Sequence, residues 1–208
     1  MILYGSSYSP FARKTLFFLG EKGIAFEHVP LAFHDPLPAF QAASPFGKIP
    51  ALEDGDFRLS DSSAICHYLE RKYPAPALMP QEARAYGQAI WYDKFNDTML
   101  VPALGKVFFN LFVKPRILKQ EPDLAVVAKA LEREIPPLYD FLEGRVDGPF
   151  LVGGAISLAD IAVAAPFFNM AVAGHPLDVS RWPRLGAYVA GIHARPAFAT
   201  LSDEPKGR

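Results

Sequence analysis

A mixed α/β domain followed by an all-α domain is the architecture this sequence predicts. Three observations carry it. Short apolar runs alternate with helix-patterned stretches as far as Tyr73. A proline-rich stretch, Pro74 to Pro80 (PAPALMP), then breaks the pattern. Beyond it apolar residues recur at helical spacing, and no convincing strand pattern returns. The expected division is an α/β domain over 1–76, a linker over 77–83 and an all-α domain over 84–208.

Taken in order, Ile2 to Tyr4 is an apolar strand that runs into the small polar loop Gly5-Ser6-Ser7-Tyr8. Ser9-Pro10 then opens a helix, with serine as N-cap and proline where a missing N–H costs nothing. Apolar contacts follow at Ala12, Thr15, Leu16 and Leu19, and Gly23 stops the helix. Ile24 to Val29 reads as a second strand. Pro30 to Phe46 holds four prolines and reads as a loop with at most a short helix near Phe40. Ile49 to Leu52, the turn Asp54-Gly55 and Phe57 to Leu59 form a hairpin. A helix opened by Asp61-Ser62 presents Ile65, Tyr68 and Leu69 on one face and stops at Pro74. The order β-α-β-α-β-β-α makes a four-stranded mixed sheet. In the second domain, 82–116, 121–144, 157–173 and 184–194 have helical character. Pro102 and the pair Pro136-Pro137 should kink or interrupt their helices.

Composition narrows the function. The 208 residues are 50% hydrophobic, enough for one large core or two small ones, and the formal net charge of −1 gives no field that draws nucleic acid or an anionic membrane. The single cysteine, Cys66, excludes an intrachain disulfide framework and any CxxC metal or redox site, and it suits a reducing compartment. No metal is expected. The longest apolar run, Ile161 to Gly174, is too short to span a bilayer and contains Pro166 and Asn169. No basic leader precedes Ile2, so no signal peptide is expected and the cytoplasm is the expected location.

Four local signals bear on chemistry. Ser9 puts a hydroxyl at the positive end of a helix, just past the carboxyl end of the first strand, where open α/β sheets bind ligands and helix termini favour anions. Local sequence alone favours a cap and nothing more. Gly47-Lys48-Ile49-Pro50 leads into the third strand; the proline fits an edge strand, or a backbone that faces a ligand. Asp61-Ser62 follows the fourth strand and offers a carboxylate to an ammonium and a hydroxyl with backbone N–H groups to a carboxylate, a set that suits the zwitterionic end of an amino acid as well as it suits a plain cap. Ser157-Leu158-Ala159-Asp160 is a capping box in acidic form, with Ile156 and Ile161 placed as a hydrophobic staple, and reads as a folding signal.

In order along the chain, Ser6 to Arg13 (SSYSPFAR), Ser44 to Leu52 (SPFGKIPAL), Leu59 to Leu69 (LSDSSAICHYL), Ser157 to Asp160 and Trp182 to Phe198 (WPRLGAYVAGIHARPAF) resemble the cytosolic glutathione transferase family. The likeness is greatest to bacterial members with a serine-proline-phenylalanine start. The resemblance implies a thioredoxin-like first domain, a homodimer, and glutathione as co-substrate. It implies that a helix-start hydroxyl bonds the thiolate, and that the Ile49 backbone, before a cis Pro50, pairs with the cysteinyl unit. Asp61 and Ser62 would hold the γ-glutamyl end, Lys48 and His34 would meet the glycyl carboxylate, and Phe11 would join the glutathione-binding set. Theta-, delta- and zeta-like members have their serine where this chain has Ser6; omega-like members have a cysteine where it has Ser9. The Ser-Pro-Phe-Ala run matches the omega pattern, so Ser9 is the first candidate and Ser6 the alternative. Serine cannot form a mixed disulfide, which argues against thioltransferase chemistry, and Cys66 lies mid-helix among apolar neighbours.

The family also places a hydrophobic electrophile between the Ser9 end of the sheet and the first helix of the second domain. Tyr8, Tyr92, Phe95, Phe108 and Phe112 are the candidate lining, with core packing as the competing role of the last four. The expected function is glutathione conjugation. The alternatives are a non-catalytic binding or regulatory member of the fold, or a glutathione-dependent isomerase or peroxidase.

Overall fold

The computed structural model describes residues 1–31 and 37–202. Two compact units emerge: Met1–Met79 together with the stretch that opens at Arg195, and Pro80–Ala194.

The first unit is built on a four-stranded mixed sheet of order β2-β1-β3-β4, with β1 (Ile2–Tyr4), β2 (Glu27–Val29), β3 (Ala51–Asp54) and β4 (Phe57–Ser60). β2 runs parallel to β1, and β3 and β4 antiparallel to their neighbours. Side chains alternate across it. One face packs Tyr4 and Ala51 with Leu31 and with Phe40 and Ala43 of α2 (Pro38–Ala43). Leu3 and Leu52 point the other way and are fully buried, as are Leu16, Phe17 and Leu19 of α1 (Pro10–Glu21) and Ile65, Cys66 and Leu69 of α3 (Ser62–Lys72). β2 begins three residues later than the apolar run from Ile24 suggests, because the ladder with β1 starts only at Ile2↔Glu27. β3 likewise starts at Ala51, past Pro50.

Lys22, at the end of α1, has a fully buried side chain. Its Nζ pairs with Glu70 at 2.6 Å and donates to the carbonyls of Tyr73 and Pro76, each at 2.7 Å. Glu70 in turn accepts from the backbone N–H groups of Leu78 and Met79 at 3.2 Å. The proline-rich stretch, whose Ala75-Pro76 bond is cis, is thereby tied to α1 and α3.

The second unit contains α4 (Ala83–Phe95), α5 (Val101–Phe108), α6 (Leu124–Lys129), α7 (Ile135–Arg145), α8 (Leu158–Val172) and α9 (Pro183–His193). α8 is apolar nearly all round and buried from Leu158 to Phe167, which makes it the central helix. The expected proline interruptions take one form. The helices widen to π geometry over Asn96–Leu100 ahead of Pro102, over Phe109–Leu118 around Pro115, and over Ala130–Glu134 ahead of Pro136. Among the described residues no helix is long and apolar enough to cross a membrane.

One helix escaped the sequence reading and corrects the expected all-α span of 84–208. α10 (Pro196–Ser202) packs on α1. Arg195 holds Glu21 with two bonds of 2.7 Å, Phe198 meets Phe17 edge-on at 5.2 Å, and the Arg13 guanidinium lies 5.6 Å above the Phe198 ring. Gly20 allows the approach: a Cβ there would stand 2.9 Å from the Cβ of Ala197.

The Ser157–Asp160 capping box is present as expected, and Asp160 does more than cap. Its Oδ2 accepts from the Ser157 N–H (2.9 Å) and hydroxyl (3.1 Å), and its Oδ1 from the Leu151 N–H (2.7 Å) and the Tyr188 hydroxyl (3.1 Å). Burial pushes this carboxyl's pKa up, and these donors oppose the shift. Asp160→Ala removes the cap and strands buried donors, so urea unfolding should show a loss of about 3 kcal/mol.

Candidate functional site

Strand register gathers the motifs. Tyr4 pairs with Ala51, and Ala51 with Ser60. The loop after β1, the segment before β3 and the start of α3 therefore all leave the sheet at the same end. With strands about 4.8 Å apart, β1 and β4 are separated by about 10 Å there. That is about the reach of three extended residues.

At β1, Gly5 donates its N–H to the Val29 carbonyl at 3.1 Å. A Cβ on Gly5 would stand 3.0 Å from the Ala12 Cβ and 3.6 Å from both the Ile49 Cβ and the Pro50 Cα. Glycine is what lets Ala12, in the first turn of α1, stand this close to the loop after β1. The loop then turns on Ser6, whose carbonyl accepts from the Ser9 N–H at 2.9 Å and whose Oγ accepts from the Tyr8 N–H at 3.3 Å. Ser9 is the N-cap of α1 and accepts the Ala12 N–H at 3.3 Å, with Pro10 at the first helical position. Each serine oxygen accepts one backbone N–H, so each hydroxyl proton remains available to an incoming acceptor. Ser9 differs by standing at the positive end of a 12-residue helix. Beside it the Phe11 N–H has no partner among the described residues.

Before β3, the Ile49-Pro50 bond is cis. Ile49 lies outside the β1–β3 ladder, and its backbone bonds to no other described residue. Its approach is fixed by Ser44, whose Oγ accepts the Lys48 N–H (2.9 Å) and donates to the Lys48 carbonyl (2.7 Å). The Lys48 side chain is exposed.

At α3 the N-cap is Asp61, and Ser62 is the first helical residue. Asp61 sits at φ 86°, a conformation that a side chain disfavours; it is held there because Oδ1 accepts the Ala64 N–H at 2.9 Å and its carbonyl the Ile65 N–H at 3.0 Å. The carboxylate is exposed, while Ser62 is nearly buried, its N–H and hydroxyl unengaged by any described residue. The pair therefore presents an acceptor for an ammonium beside donors for a carboxylate. Behind them the buried Lys14 Nζ donates to the Ser63 hydroxyl at 3.2 Å.

Of the candidate aromatics, Tyr8 and Phe11 flank Ser9 and are half-buried. Tyr92, Phe95, Phe108 and Phe112 belong to the second unit and are all buried, Phe108 and Phe112 stacked at 5.0 Å and Phe95 stacked with Trp91 at 5.4 Å. Burial raises the Tyr92 phenol, with Arg145 pulling the other way. His34 lies outside the described residues. Among the described residues no cluster of histidine, cysteine or acid side chains could hold a metal.

Comparison with known proteins agrees with this arrangement. The model of the glutathione S-transferase N-terminal domain matches residues 3–77, and that of the C-terminal domain residues 125–191. Glutathione S-transferase 3 of Zea mays is 35% identical over 203 residues, covering 94% of this chain and 90% of that protein. The chain belongs to the glutathione transferase family. Among solved glutathione transferases, one from Rhodospirillum rubrum has a TM-score of 0.89 at 26% identity, covering 98% of this chain and 92% of its own. Maize glutathione S-transferase I, solved with an atrazine glutathione conjugate, has a TM-score of 0.84 at 26% identity, covering 99% of each chain.

Three residues that shape the segments around this candidate site carried no assigned role in the sequence reading: Gly5, Ser44 and His28, whose ring bonds the Gly5 carbonyl. Only Gly5 left a signal, as a glycine at a strand's carboxyl end. Gly5→Ala should cost about 1–3 kcal/mol of stability in denaturant unfolding, since Ala12 must give way to admit the methyl and the backbone there, at φ 155°, disfavours a side chain.

Proposed function

We propose that this chain is a serine-type glutathione transferase that lowers the pKa of bound glutathione's thiol and directs the thiolate at a hydrophobic electrophile. The observation that supports the reading is the Tyr4–Ala51–Ser60 row, beside which the segments carrying Ser9, Ile49 and Asp61-Ser62 leave the sheet at one end. Glutathione fits this row in one direction. Its γ-glutamyl ammonium and carboxylate meet Asp61 and Ser62, its cysteinyl backbone pairs with Ile49 before Pro50, and its glycyl carboxylate approaches Lys48, with His34 as a second cation. The sulfur reaches the Ser9 hydroxyl, with the Phe11 N–H beside it; Ser6 is the alternative donor. The Ser-Pro-Phe start, likened above to bacterial and omega-like members, supports Ser9.

Magnitudes favour a donor role. A free thiol has a pKa near ~8.5 and is only a few per cent thiolate at neutral pH. A hydrogen bond to a charged acceptor contributes ~1.5–3 kcal/mol and a helix terminus ~0.3–1 kcal/mol. At ~1.4 kcal/mol per unit, the two lower the pKa by roughly one to three units and make thiolate a major species. The electrophile then lies against Tyr8 and Phe11. The maize relative's conjugate complex supports conjugation as the outcome. Homodimerisation belongs to the same reading, supported by Phe46, an apolar side chain 87% exposed that a dimer would cover. A cytoplasmic location is supported by the single, buried cysteine.

Retention on immobilised glutathione and conjugation of an aryl halide test the reading, with reduction of an organic hydroperoxide run alongside. Retention with conjugation is expected. Retention alone would indicate a binding protein, and no retention at millimolar glutathione would refute the reading. Titrating the bound thiol by its ultraviolet absorbance separates the serines: Ser9→Ala should raise its pKa by about one unit or more and Ser6→Ala should leave it unchanged.

A further inference from the structure

We propose that His28 is a positioning residue for the thiolate site: its ring holds the Gly5 carbonyl and so fixes the loop that carries Ser6 and Ser9. The inference rests on the serine–thiolate reading above. His28 pairs with Leu3 across β1 and β2 and shares its face of the sheet. Its Nε2 lies 2.8 Å from the Gly5 carbonyl oxygen. A carbonyl only accepts, so Nε2 carries the proton and donates.

This bond replaces a missing ladder rung. The parallel pairing ends at Tyr4↔Val29, and Pro30 follows. The Gly5 N–H still finds the Val29 carbonyl at 3.1 Å, and the Gly5 carbonyl is met by the His28 side chain. Both polar groups of Gly5 are therefore tied to consecutive residues of β2. The next turn closes on Ser6, through the Ser9 N–H to its carbonyl at 2.9 Å. A displacement at Gly5 passes to Ser6 directly and to Ser9 through that turn. Asp61 and Ser62 leave the sheet from β4, two strands beyond β1 and three beyond β2. Loss of the bond should disturb the sulfur's donor more than the grip on the γ-glutamyl end.

Two pairs of variants test this: His28→Leu with His28→Gln, and His28→Asn with His28→Gln. The Gln amide nitrogen reaches where Nε2 stands; Leu has no donor and Asn falls short. The readouts are the pKa of bound glutathione's thiol, kcat at neutral pH, and KM for glutathione. His28→Leu and His28→Asn should raise the bound thiol pKa by about one unit, a tenfold drop in the thiolate-to-thiol ratio, and lower kcat several-fold, with KM changed less than about twofold. His28→Gln should stay near the parent. If Leu proves too disruptive to fold, the two amides of equal polarity and different reach give the same comparison. A parent-like thiol pKa in the Leu or Asn variant overturns the proposal, as does a Gln variant that shifts as far as Asn. The unsubstituted protein is titrated first: if it does not lower the thiol pKa, the serine–thiolate reading itself fails and takes this inference with it.

Discussion

The close approach of Gly5 to Ala12, with Ile49 and Pro50 in contact on its other side, is the constraint on which the first unit's candidate site depends. Sheet register brings three segments to one end, but strand spacing alone would leave the start of α1 and the turn before β3 separated by their own side chains. With hydrogen in place of a Cβ, Gly5 admits Ala12 of α1 closely on one side and meets Ile49 and Pro50 at ordinary contact on the other. Asp61, held at positive φ by its own helix cap, completes the row from β4. Each piece is local. Their conjunction is a property of the sheet.

The second unit solves a different problem. Its central helix is so apolar that amphipathic patterning cannot orient it. Orientation falls instead to polar anchors at its ends and around it. Asp160 gathers donors from two backbone sites and two hydroxyls. Trp182 donates to Asp140 at 2.6 Å, and Glu143 accepts the Arg184 and Leu185 N–H groups at the start of α9. The prolines that would break long helices are absorbed by widened turns, so the chain keeps direction through Pro102, Pro115 and Pro136.

What could be read in the sequence follows from the range of the forces involved. The Ser9-Pro10 start, the Asp54-Gly55 turn, the Ser157–Asp160 box and the short helix at Phe40 came through because their signals span a few residues. The N-cap of α3 sits at Asp61, one residue ahead of Ser62, whose hydroxyl bonds to no described residue. The helix at Pro196–Ser202 and its docking on α1 were illegible, since Glu21 and Arg195 are 174 positions apart and a seven-residue amphipathic piece has little periodicity of its own. The bond from His28 to Gly5 was hidden for the same reason: nothing in a strand of three residues says which carbonyl a histidine will find. The aromatic run in the second unit carries an apolar pattern that core packing and a substrate pocket share, and the burial of Tyr92, Phe95, Phe108 and Phe112 is what both roles require.

A crystal structure of the protein soaked with glutathione tests the central claim most directly. The account predicts an extended tripeptide along the Tyr4–Ala51–Ser60 row, its sulfur within hydrogen-bond distance of the Ser9 hydroxyl, its cysteinyl backbone paired with Ile49, and its γ-glutamyl carboxylate on Ser62. Glutathione bound away from that row, or lying along it with the sulfur beyond reach of both Ser9 and Ser6, would contradict it.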